Sequence, residues 1–404
     1  MLTLFIAQIL CFQEAVDLTL ENSPQLKIQA DLIGQRVGDH TQASMRPNPI
    51  FTYTVENVLG TREWRGWRDA KEEYDLTQTI ETAGKRRYRT LAACHAVDEA
   101  EERLELVRLT ILNQLKKQFI ETAGFQESLS VARERAANAE EILKTLQQEI
   151  EQGKGNPIQF QKIKVQLANA LFDQERVQGD LQQAKEALAL MWGASYPEFE
   201  KVSYDLYNLE SPCSDCETNV EGHPLLLQWE SRRRSLEQVV NLEKAIATPD
   251  FLFTVGYKTE DRNRGLVFSL AVPLPFFDRN QGNILRAEFD EQSTITELTA
   301  HQTRLQTLLR TSTKEVLRNF KEAIFLRDHI LKAAQDAYDL SLEGYKQGKY
   351  GLLDVLESHQ TLFDIQEKYI AILVETHISQ VDVEYLAPPN PSIGTNQSIG
   401  NNQR

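Results

Sequence analysis

Two stretches of the chain alternate apolar and polar residues with a period of two. Phe251, Phe253, Val255 and Tyr257 alternate with Leu252, Thr254, Gly256 and Lys258. Leu266, Phe268, Leu270, Val272 and Leu274 alternate with Val267, Ser269, Ala271 and Pro273. This spacing predicts a β-hairpin over about 250–275, each strand about nine residues long and able to cross a bilayer at the tilt of a barrel strand. The face holding Phe253, Val255, Phe268 and Leu270 is expected to meet lipid, and the face holding Thr254 and Ser269 a lumen. A second hairpin is predicted over about 50–80, where Phe51-Thr-Tyr-Thr-Val-Glu56 and Tyr74-Asp-Leu-Thr-Gln-Thr-Ile80 flank a polar connection with Arg62, Trp64, Arg65, Trp67 and Arg68. Four strands cannot close a membrane barrel, and an open edge in lipid leaves each unpaired backbone group at a cost of several kcal/mol. If these strands span a membrane, several copies of the chain must build one barrel together.

Elsewhere the apolar positions fall three and four apart. All thirteen prolines lie outside 50–156 and 276–387, the stretches where long helices can run. Helices are predicted over 12–46 with a break near Ser23-Pro24, and over 85–152, 157–192, 224–247, 283–346 and 352–386. The 85–152 helix would be roughly 100 Å long, so something must run alongside it. In the 157–192 helix Phe160, Ile163, Leu167, Ala170, Gln174, Val177, Leu181, Ala184, Leu188 and Met191 form a coiled-coil seam with one polar member. Turns are predicted at Gly153-Lys154 and Gly348-Lys349, 195 positions apart, while Pro24 and Pro224, like Pro49 and Pro249, stand 200 apart. The chain therefore reads as an internal repeat of about two hundred residues. Its parts are a signal-like segment over 1–11, a first repeat over 12–192, a connector over 193–222, a second repeat over 223–387 and a disordered polar tail over 388–404.

Composition narrows the function. A net charge of −15 argues against nucleic-acid binding. No run approaches eighteen apolar residues, so any membrane crossing must be by strands. Met1–Cys11 is apolar but lacks a basic start and a small-residue cleavage site, so it reads as part of a signal or as an ordinary first strand or helix. At Cys11 a lipid attachment signal would want a small residue where Leu10 stands. Cys213 and Cys216 would close a small disulfide in an oxidising compartment, or are simply two thiols in a polar loop. No two of the seven histidines lie three or four apart, and no catalytic, metal-ligand or cofactor motif is present. The expectation is a protein that is not an enzyme and holds no cofactor or metal.

Several segments, in order, resemble the TolC-like outer-membrane efflux proteins: Asn48-Pro49 before a hairpin, Ile80-Glu-Thr-Ala-Gly84-Lys-Arg, Pro273-Leu-Pro-Phe-Phe-Asp-Arg-Asn-Gln-Gly282-Asn, and Tyr345-Lys-Gln-Gly348-Lys-Tyr-Gly-Leu-Leu-Asp354-Val-Leu-Glu357. The Phe-Asp-Arg-Asn-Gln-Gly block is most similar to the branch serving heavy-metal exporters of the cobalt-zinc-cadmium and copper-silver type. The resemblance covers about 12–387. It implies a mainly α homotrimer in the outer membrane, each chain giving four strands to a twelve-stranded β-barrel and long antiparallel helices to a periplasmic α-barrel. It also implies a passive exit duct for metal cations or small toxic compounds, joined by a periplasmic adaptor to an inner-membrane transporter. The tip turns Gly153, Lys154, Gly348 and Lys349 would meet the adaptor. Asp354 and Glu357 stand where the family places gate carboxylates. The matching position of the first half holds Gln159, and Tyr350, beside Lys349, stands where a basic partner is expected.

Two other cargoes remain open within this class, drugs and secreted proteins. The competing class is a soluble coiled-coil scaffold or periplasmic adaptor whose hairpins pack into a small sandwich.

Overall fold

In the computed structural model of the protein, residues 9–152, 156–212, 220–260 and 263–387 are described. In chain order the elements are β1 (Ile9–Cys11), α1 (Phe12–Asn22), α2 (Pro24–Ser44), β2 (Ile50–Glu56), β3 (Lys71–Ile80), α3 (Lys85–Glu151), α4 (Pro157–Leu190), β4 (Lys201–Ser203), α5 (Pro224–Ile246), β5 (Phe251–Glu260), β6 (Asn263–Ala271), α6 (Gln281–Phe325), a π-helical segment (Leu326–Leu331), α7 (Lys332–Lys346) and α8 (Leu352–Leu386). The chain forms two compact units, and neither is one half of the sequence. One gathers residues up to Ile28, Leu106–His223 and the chain from Thr303 onward; the other gathers Gln29–Glu105 and Pro224–Gln302.

The first unit is helical. Its main core joins Leu115, Phe119, Ile120 and Ala123 of α3 to Leu188 of α4 and Val381 of α8, with Leu10, Val202 and Leu206 packed among them. The α4 seam is buried at Ile163, Ala170, Val177, Leu181, Ala184 and Leu188, as its spacing requires, while Gln174 is half-buried. Helices α3 and α8 meet closely at Gly124, where a Cβ would lie 2.5 Å from Val374 Cγ2. Part of the segment read as signal-like is structured: Ile9–Cys11 is a strand, paired in parallel with Lys201–Ser203. The outer backbone edge at Val202 is met by a side chain. Gln126 donates through Nε2 to Val202 O at 3.1 Å and accepts the Val202 N–H at Oε1 at 2.7 Å. The helix expected over 283–346 runs without a gap through α6, the π-helical segment and α7, and residues 326–331 widen to π geometry. Leu326, Ile330 and Leu331 can then reach Tyr369 and Leu373 of α8 together.

The second unit holds a four-stranded antiparallel sheet in the order β2-β3-β5-β6. The last strand ends at Ala271, three residues short of the alternation, because Pro273 and Pro275 carry no N–H for the ladder. Below the sheet the turns are fixed by side chains. Lys85 Nζ lies 2.7 Å from Asp250 Oδ1, which also accepts the Thr82 N–H at 2.8 Å. Arg89 pairs with Glu81 and donates to Ala43 O. Asn280, at φ 61°, donates to Glu243 O, and its own N–H is held by Asp278 Oδ1 at 2.8 Å.

Candidate functional site

The sheet has two chemically different faces. In an antiparallel ladder residues directly opposite share a face. Phe51 faces Leu76, which faces Val255, which faces Phe268; Gln78 faces Phe253, which faces Leu270; and Tyr53, Tyr74, Tyr257 and Leu266 form a further row. Phe253, Val255, Phe268 and Leu270 thus lie on one face, at 41%, 38%, 66% and 64% exposure. An apolar surface of this extent marks a contact with lipid or protein. On the other face Thr52, Asp75, Gly256 and Val267 form one row, and Thr77, Thr254 and Ser269 another, with a 2.9 Å hydrogen bond between Thr77 and Thr254. Glycine at 256 has a specific use, since a Cβ there would lie 2.1 Å from Asp75 Oδ1. Both outer strands, β2 and β6, have one edge without a partner strand among the described residues.

Within the helical unit, α7 and α8 are joined by a tight turn. Gly348 adopts φ 72°, its N–H donates to Tyr345 O at 2.9 Å, and the Lys349 N–H donates to Gly344 O at 2.8 Å. This is the paired-bond ending that a left-handed glycine allows. The Tyr350 ring covers Gly344 so closely that a Cβ there would meet Cδ2 at 2.0 Å. Gly153 and Lys154, the expected counterparts, lie outside the described residues. Leu146, Ile163, Leu352 and Leu356 close the core behind the tip.

Asp354 and Glu357 are both exposed on one face of α8 and line a cleft of about 250 Å³ with Ala334, Ala337, Ser358 and Thr361. Asp354 already has a local task, since its Oδ2 accepts the Gly351 N–H at 2.9 Å at the start of the helix. Glu357 also borders a larger cleft of about 620 Å³, with Ile158, Val165 and Leu353 supplying apolar wall. Gln159 is half-buried in the first turn of α4. Behind this surface His359 is buried between Tyr338 and Phe363. Burial, and secondarily the Arg135 guanidinium, push its pKa down to about 4. Among the described residues no group of three or more His, Cys, Asp or Glu could hold a metal ion, and no helix is long and apolar enough to cross a membrane.

The sequence model of the outer membrane efflux proteins matches residues 15–194 and 219–386. The chain belongs to this family. It is 27% identical over 379 residues, 93% of this chain and 89% of the other, to the cobalt-zinc-cadmium resistance protein CzcC of Cupriavidus metallidurans. It is 19% identical over 349 residues, 81% of this chain and 73% of the other, to the cation efflux system protein CusC of Escherichia coli. Two solved structures share the fold across 93% of this chain. CusC has a TM-score of 0.76 at 16% identity with 91% of its chain covered, and VceC of Vibrio cholerae 0.75 at 16% identity with 95% covered. As an outer membrane efflux protein, the chain is an outer-membrane channel protein with a large periplasmic part. The scaffold alternative is thereby set aside, and the family's work is efflux rather than catalysis.

Sequence reasoning missed the side chains that fix the turns around the sheet. Lys85 and Asp250 are 165 positions apart, and nothing local in either stretch points to the other. In hindsight the Gly84-Lys85 and Asp278-Arg-Asn280 motifs signal turn chemistry, with Ala83, Gly84 and Asn280 all at positive φ.

Proposed function

We propose that three copies of this chain close one twelve-stranded barrel and form the exit duct of a tripartite exporter whose cargo is heavy-metal cations. The observation that carries the trimer is the sheet itself. It has one apolar and one polar face and two open edges, which hydrocarbon would not tolerate unless other copies paired with them. The order of elements, in which a helix, a hairpin, a long helix and a further helix occur twice, supports the two-fold repeat. The cargo reading rests on the names of CzcC and CusC, which specify cobalt-zinc-cadmium resistance and cation efflux. Phe253, Val255, Phe268 and Leu270 would face lipid. The tip turns at Gly348-Lys349 and Gly153-Lys154 would receive a periplasmic adaptor, itself bound to an inner-membrane transporter that supplies the energy. Asp354 and Glu357 would ring the narrowing axis as six carboxylates.

The test has two arms. In mild detergent the protein should have about three times the 46.2 kDa mass of the chain; a monomer with intact strand content refutes the shared barrel. Deleting the protein from its host should lower tolerance to cobalt, zinc or cadmium. Unchanged metal tolerance with lost drug tolerance would move the cargo to the drug class.

A further inference from the structure

The hairpin loop between β2 and β3 is locally basic in an acidic chain. Within residues 57–70 it carries Arg62, Arg65 and Arg68 at steps of three, against Glu63 and Asp69, in a protein of net charge −15. Trp64 and Trp67 are interleaved at the same spacing, 54% and 62% exposed. The three arginines are exposed, and their side chains make no hydrogen bond or ion pair among the described residues. The neighbouring cation, by contrast, is committed, as Lys71 lies 2.7 Å from Glu56. The loop backbone is fixed by its own bonds: Gly60 N–H donates to Trp64 O at 2.8 Å and Ala70 N–H to Trp67 O at 3.4 Å. Guanidinium groups with no partner among the described residues, on a fixed loop and beside exposed indoles, form a surface made for anions at an apolar boundary.

A second observation places that boundary. On the apolar face Tyr53, Tyr74 and Tyr257 lie in one row, with ring centroids 4.8 and 6.5 Å apart. The next row toward the loop carries the polar side chains Glu72 and Thr259, and Arg264 lies opposite Thr259. Rows of aromatic residues mark the edge of the hydrocarbon in membrane barrels. Both strands reach the loop three residues beyond this row, about 10 Å along the strand, which is the depth of lipid headgroups. The helices leave the sheet from the opposite strand ends, so with the helices in the periplasm the loop lies on the external side. The outer leaflet of an outer membrane is built from phosphorylated glycolipid.

We infer that the loop over residues 57–70 docks the phosphate groups of outer-leaflet glycolipid, with Arg62, Arg65 and Arg68 holding the phosphates and Trp64 and Trp67 lying against the headgroup. The inference rests on the outer-membrane placement described above. Arginine suits the task because its planar donors match phosphate oxygens in pairs.

The test uses the full chain in mild detergent, with bound lipid counted by native mass spectrometry during titration with bisphosphorylated lipid A or its dephosphorylated form. The phosphorylated lipid should bind, the dephosphorylated form should not, and added salt should weaken binding. The triple substitution Arg62→Gln, Arg65→Gln, Arg68→Gln should weaken binding by roughly 100-fold, and Arg65→Gln alone by about 5-fold, at about 1 kcal/mol per arginine. Three results overturn the inference: equal binding of the two lipids, unchanged binding by variants that keep strand content and oligomeric mass, or full displacement by excess inorganic phosphate, which would indicate a site for the free ion. Loss of the wild-type chain from the outer-membrane fraction would instead refute the placement on which the inference rests.

Discussion

Gly124 offers a test of the helix packing whose sign can be predicted. Glycine inside a helix is unfavourable relative to alanine by about 1 kcal/mol, so Gly124→Ala at an open site would stabilise α3. Here the new Cβ would lie 2.5 Å from Val374 Cγ2. Valine in a helix has one strongly preferred rotamer, so Val374 cannot turn aside and the helices must separate. Overpacking of this kind costs about 1–3 kcal/mol, which outweighs the propensity gain and leaves a net loss near 1 kcal/mol. With Val374→Ala in place the obstructing methyl is gone and Gly124→Ala should stabilise, so the two changes should couple by about 2 kcal/mol. Amide hydrogen exchange in peptides covering 115–130 and 368–380 reads the local opening free energy of both helices. If Gly124→Ala had the same sign in both backgrounds, the close α3–α8 contact would be refuted.

Three further outcomes are expected. A fluorophore at Phe268 should be quenched by acyl-chain quenchers much more than one at Ser269, because the two alternate across the sheet; the reverse would mean that the polar face meets lipid. Asp354→Asn with Glu357→Gln should raise single-channel conductance or change cation selectivity in planar bilayers. The amide replacements retain an acceptor for the Gly351 N–H, and wild-type conductance would refute the gate. His359 has a folded-state pKa near 4 against an ordinary 6.5, so the unfolded chain binds more protons between those values. Its contribution is complete above pH 6.5 and is lost as pH falls toward 4. At pH 5 the loss is about 2 kcal/mol, or roughly 30-fold faster opening near residues 352–365. His359→Leu should flatten that pH dependence.

Much of this architecture was legible because its signals are local and periodic. Phe251 to Tyr257 alternate strictly, so strand and face follow from the fact that successive side chains point to opposite sides. The α4 seam was readable for the same reason at a helical period. The π turn at Leu326–Leu331, which packs on Tyr369 and Leu373, was not, because the local sequence reads as ordinary helix. The pairing of Ile9–Cys11 with Lys201–Ser203 joins two three-residue segments far apart in sequence, too short for periodicity to reveal either partner. At the tip, the glycine turn at 348 was visible as a motif. The covering of Gly344 by Tyr350 depends on how the two flanking helices return on each other. The carboxylate pair was visible too, but only geometry shows that Asp354 is engaged at the helix start while the Glu357 carboxylate has no such bond among the described residues.

The unsatisfied outer edges of β2 and β6 also bear on inheritance. If three copies complete one membrane wall, as proposed above, every copy is answerable for the whole. A variant that inserts normally but carries a proline in mid-β6 would spoil each assembly it joined. With equal amounts of variant and normal chains, only about one in eight of the proposed three-membered rings would be free of it. Such an allele would act dominantly even in a cell that retains a sound copy of the gene.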